Sequence, residues 1–110
     1  MRTSTTAILA RNSRWIGKAA TEPYEAGWAS EALLFIRALA PPDLTRGDAF
    51  IEISPDGMHW AREGSRIALP RRKDEVSFAR LSHFGNWLRV SSELPEGAAI
   101  TVLVTLHLKS

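Results

Sequence analysis

The ten residues from Ile100 to Lys109 constrain this chain more than any other stretch. Every even position from Ile100 to Leu108 is aliphatic, while the odd positions carry Thr101, Leu103, Thr105, His107 and Lys109. Successive side chains of an extended backbone point to opposite faces, so a period of two buries one face and leaves the other outside. β-Branched residues recur through the stretch, and they suit a pleated, half-buried surface. Pro95-Glu96-Gly97 supplies the turn that leads in.

A hairpin follows from the same reasoning. Ala49-Phe50-Ile51-Glu52-Ile53 reads as a strand with Ile51 and Ile53 inward, then Ser54-Pro55-Asp56-Gly57 turns the chain toward Met58-His59-Trp60 on the return. Proline pre-sets φ at the second turn position, aspartate suits the third, and glycine accepts the left-handed conformation that closes the loop. Val76-Ser77-Phe78-Ala79-Arg80 alternates with Val76 and Phe78 expected inward. Trp87-Leu88-Arg89-Val90 alternates with Leu88 and Val90 inward, and His83-Phe84-Gly85-Asn86 joins the two. Gly64 to Lys73 reads as a loop around a short strand at Ile67-Ala68-Leu69.

Ser30 to Ala40 admits two readings. Helix-favouring residues, a Ser30 cap and the stop at Pro41-Pro42 fit a helix, with Trp28, Ala32, Phe35 and Leu39 near one face. The unbroken apolar run Leu33-Leu34-Phe35-Ile36, among neighbours that read as strands, favours a strand. Such a strand is apolar on both sides, with Leu34, Ile36 and Ala38 one way and Leu33, Phe35 and Leu39 the other. Its second face needs a cover.

The expected fold is therefore all-β: a small antiparallel β-sandwich, jelly-roll-like, of about seven or eight strands. The 110 residues fit one domain. Residues 28–110 read as the sandwich, and residues 1–27 as an irregular arm in which Thr5 to Ala10 suits an edge strand. Arg2 precedes polar Thr3-Ser4-Thr5-Thr6, and Ala7-Ile8-Leu9-Ala10 stops at Arg11, so no secretory signal is expected. No run reaches the roughly twenty apolar residues of a membrane helix. These features leave a cytoplasmic or particle-surface location open.

The residues for most chemistries are missing. The sequence holds no cysteine, which excludes disulfides and cysteine-based zinc sites. No serine sits in a Gly-x-Ser-x-Gly elbow. His59, His83 and His107 stand alone; a metal site of His59 and His83 with Asp56 or Glu63 lacks His-x-His or His-x-x-x-His spacing. The scattered glycines suit turns better than a phosphate loop. No catalytic residue, cofactor or metal ligand is assigned.

Two features remain. Arg71-Arg72-Lys73 is the one compact basic run, a candidate electrostatic contact that Arg66 and Arg46 would extend and that Asp74 and Glu75 partly balance. The formal net charge of only +2, with acids and bases interspersed, argues against nucleic acid as a partner. Four tryptophans are many for this length. Trp60 and Trp87 fall in strands and read as structural, whereas Trp15 and Trp28, in the irregular region, are expected to be exposed.

The segment Ser54-x-Asp56-Gly57-x-x-Trp60 resembles a hairpin found in discoidin-like carbohydrate- or lipid-binding modules and in small accessory domains of phage particles. Phe78-Ala79-Arg80 and Trp87-Leu88-Arg89-Val90 resemble the paired late strands of such domains. This resemblance implies a fold and carries over no binding residue. The function expected is a non-enzymatic assembly subunit, packing on copies of itself as a homo-oligomer or on a larger protein shell, as a capsid-decoration protein does. Trp15, Trp28, Leu33, Phe35 and Leu39 are its candidate interface. The alternative is a carbohydrate- or other ligand-binding module that uses exposed tryptophan and arginine. An enzyme would need a pocket holding paired carboxylates or histidines.

Overall fold

The computed structural model describes residues 3–44 and 47–110, and Arg2 and Arg46 lie outside them. The described residues form nine strands and no helix: β1 Ser4–Trp15, β2 Lys18–Ala20, β3 Tyr24–Glu25, β4 Glu31–Ala38, β5 Asp48–Ser54, β6 Ala61–Ala68, β7 Val76–Ser82, β8 Trp87–Glu93 and β9 Ile100–Lys109. They make two antiparallel sheets that enclose one core. The first sheet runs β1-β9-β4-β7; the second runs β2-β8-β5-β6, with β3 also paired to β8.

The alternation in β9 buries Ile100, Val102, Val104, Leu106 and Leu108, as its sequence requires. β4 is a strand, and its Leu34, Ile36 and Ala38 meet the same core. Ile51 from β5 and Leu88 and Val90 from β8 close it from the second sheet. Each large side chain buried in this way contributes roughly 1.5–3 kcal/mol relative to exposure.

The β5–β6 turn forms as its residues dictate. The Asp56 and Gly57 N–H groups donate to Ser54 Oγ at 3.2 and 2.8 Å. The N–H groups of Met58 and His59 donate to Asp56 Oδ1 at 2.8 and 2.9 Å. Gly57 has φ +80°, and a Cβ there would sit 3.3 Å from the Trp87 ring. Glycine thus suits the site by conformation, and a Cβ there would press on the Trp87 ring.

Several expectations change. The edge strand expected at Thr5 to Ala10 forms but is longer, since β1 ladders along β9 from Ser4↔Lys109 to Trp15↔Ile100. The return strand after the turn is the eight-residue β6, where a loop around Ile67-Ala68-Leu69 was expected. β7 and β8 are not paired, because His83 to Asn86 carries the chain from the edge of one sheet into the other. Val76 and Phe78 point outward, at 50% and 52% exposure, while Leu81 is buried. Register explains the inversion. Phe78 lies opposite Phe35, directly opposed residues share a face, and Leu34 and Ile36 already take the inner face of β4.

Candidate interaction surface

The outer face of the first sheet can be built row by row from its registers. β4 pairs on both sides, so Leu33 lies between His107 and Arg80, Phe35 between Thr105 and Phe78, and Arg37 between Leu103 and Val76. On the far side of β9, β1 sets Thr6 beside His107 and Ile8 beside Thr105. The centre of the face is therefore Ile8, Leu33, Phe35, Val76, Phe78 and Leu103. Ile8 is 45% exposed. The Phe35 ring lies 6.2 Å from the Phe78 centroid and 5.0 Å from the His107 ring, edge-on to the latter. His107 Nδ1 is 3.3 Å from Thr6 Oγ1. A shallow groove of about 410 Å³ opens at one end of the face, lined by Glu31, Leu33, Arg80, Ser82, His107 and Lys109. Ile8, Val76 and Phe78 are exposed on this face, and Leu33, Phe35 and Leu103 are half-buried.

The second sheet presents a different outer face. Arg62 lies 3.7 Å above the Phe50 ring, with Arg66 at 5.9 Å. Arg89 lies 4.4 Å above the Trp60 ring and pairs through Nε with Glu52 Oε1. Arg66 also pairs with Asp48 at 3.6 Å, so it belongs to this face. The Arg71-Arg72-Lys73 loop is balanced only in part, through Arg72. The Arg71 N–H donates to Glu75 Oε1, Arg72 Nε lies 3.7 Å from Glu75 Oε2, and Arg37 Nε lies 3.9 Å from Asp74.

The candidate interface residues divide. Leu33 and Phe35 are half-buried on the outer face of β4, and Leu39, just beyond the strand, is also half-buried. Trp28 is exposed at 44%. Trp15 is buried at 3%, contrary to expectation, because it ends β1 opposite Ile100 and turns into the core. Trp15 and Trp28 therefore form no joint exposed platform. Trp60 and Trp87 are half-buried at the second sheet. From the sequence Val76 and Phe78 are expected inward and Ile8 and Leu103 are not singled out, since alternation in an apolar strand fits either face.

His59 is held by Asp56, with Nδ1 2.7 Å from Oδ2. The backbone N–H groups of His59 and then Met58, with the His59 ring, keep the Asp56 carboxyl well below the usual carboxylate range. Among the described residues, no three of His, Asp and Glu converge as metal ligands. No helix among them is long and apolar enough to cross a membrane.

The architecture is similar to that of two proteins of known structure. The SPBc2 prophage-derived protein YomS aligns with a TM-score of 0.66 at 8% identity, over 100% of this chain and 96% of its own. The PBSX exported protein XepA aligns with a TM-score of 0.58 at 12% identity, over 98% of this chain and 36% of its own. This chain thus corresponds to a part of XepA. At such identities the likeness is one of fold. No protein family matches the sequence, and no curated protein matches it.

Proposed function

We propose that this chain is a phage-associated, non-enzymatic assembly subunit that packs through the outer face of its first sheet, on copies of itself or on a larger protein shell. Capsid decoration, or another role at a particle surface, is the concrete form of the reading. One observation carries it: Leu33, Phe35, Phe78 and Val76 adjoin on the outer face of the first sheet, Phe78 and Val76 exposed and Leu33 and Phe35 half-buried, with Ile8 beyond Thr105 and Leu103 beyond Arg37. Contiguous exposed apolar surface of this kind marks sites of protein association. The prophage origin of YomS supports the setting.

The test is solution mass by light scattering after size exclusion, over a concentration series, for the wild type and for Phe35→Asp. A discrete oligomer that the substitution dissociates supports packing through this face. A wild-type oligomer that Phe35→Asp leaves intact, in a variant shown by circular dichroism to be folded, counts against it. A wild-type monomer at every concentration removes self-packing and leaves the shell form.

A further inference from the structure

Each sheet has edges, and an edge strand carries unpaired N–H and C=O groups that template pairing with another chain. Natural sheets blunt their edges with bulges, short strands, proline or charge. Three of the edges here show such devices. β1 breaks register between Ile8 and Ala10 and again between Ala10 and Ser13, has Asn12 at φ 50°, and carries Arg11 and Arg14. β2 and β3 are three and two residues long, with Pro23 between them. β6 is bulged against β5 between Phe50 and Glu52, has Gly64 at φ 118°, and bears Arg62, Glu63 and Arg66. β7 shows only one of these devices, a single charge. Its register on β4 is unbroken from Ser82 to Val76, it contains no proline, glycine or positive φ, and Arg80 is its one charged residue. β6 approaches β7 from the opposite sheet but shares no ladder with it.

We infer that the open edge of β7 pairs with β7 of a second copy of this chain, antiparallel about a two-fold axis at Ala79. The inference rests on the assembly reading above and names its partner and geometry. The register that pairs the whole of Val76–Ser82 with itself is the one centred on Ala79. It sets Phe78 of each copy opposite Arg80 of the other, on the same outer face. Within one chain, the Arg80 guanidinium already lies 5.4 Å from the Phe78 ring. Self-pairing repeats that contact between copies twice, and a cation over an aromatic ring is attractive. At the axis, Ala79 meets Ala79, and two small side chains admit close approach. The pairing satisfies backbone groups that the monomer leaves to water, and it joins two apolar outer faces into one eight-stranded surface.

The absence of cysteine makes the test clean. A residue on the axis faces its own copy, so Ala79→Cys is expected to form a disulfide-linked dimer under mild oxidation. Thr6→Cys, on the far edge strand of the sheet, is expected to form none. Phe78→Lys sets like charges opposite each other at both symmetric contacts. It should raise the dimer dissociation constant by about tenfold or more, with the fold kept, since Phe78 is 52% exposed. Cross-linking at Phe35→Cys in place of Ala79→Cys would overturn the edge pairing while the assembly reading stood. A wild-type monomer across the concentration series would overturn it too, leaving the outer face to a different protein.

Discussion

On the second sheet, Phe50 lies beneath Arg62 and Arg66, and Trp60 beneath Arg89, which is itself tied to Glu52. On the first sheet, the Phe35 ring meets the rings of Phe78 and His107, and the Arg80 guanidinium lies 5.4 Å from the Phe78 ring. Both outer faces therefore carry aromatic residues and arginines, but only on the second does an arginine lie close over the rings, at 3.7 Å from Phe50 and 4.4 Å from Trp60. An arginine stem covers apolar area while its head stays in water, so the second face is finished within the monomer. The first face keeps its apolar centre open. Exposed aromatic count alone would not separate the two; what lies above each ring does.

The strongest way to sharpen this contrast is to compare the two sides of the first sheet. Ile36→Ala, on the inner side, should cost about 2–5 kcal/mol in urea unfolding, because it leaves a cavity at the centre of the core. An outer-side change at Phe78→Ser should cost far less stability and act on association. A loss as large as that of Ile36→Ala would show that the first face is structural after all. Arg89→Ala should cost about 1–3 kcal/mol, since it strips the Trp60 ring and leaves the half-buried Glu52 without its partner. Arg80→Ala on the first sheet should stay within about 0.5 kcal/mol. Equal effects in thermal unfolding would erase the distinction between the two faces.

Two smaller effects test the turn beside the second face. Gly57→Ala should destabilise by about 1–2 kcal/mol, from the positive φ and the close Trp87 ring. The pH dependence has a definite sign. Asp56 is depressed in the folded chain, so its contribution is present at neutral pH and down to the ordinary carboxylate value of about 3.9, and is lost as pH falls further. Asp56→Asn should flatten that acid limb in unfolding curves collected from pH 6 downward. An unchanged limb would show that the turn carries no such linkage.

Much of the architecture follows from local patterns. β9 reads correctly because five aliphatic residues alternate without a break, and the β5–β6 turn because its residue types match its dihedral demands. The residues of β4 were sorted into two faces, and those are its two faces. β1 was harder, since its ladder joins residues at opposite ends of the chain, such as Ser4 and Lys109, and its polar alternation resembles a loop. β2 and β3 are too short to leave a pattern.

The sequence by itself determined that this chain folds as strands, where its main turn lies, and that one strand has two apolar sides, because each of these depends on neighbours within a few residues. Which side of β7 meets water, the burial of Trp15, and the cover over one outer face but not the other were decided only by tertiary structure. Alternation divides a strand into two faces without orienting them. The orientation of β7 comes from its register on β4, where Phe78 lands opposite Phe35 across a gap of more than forty residues.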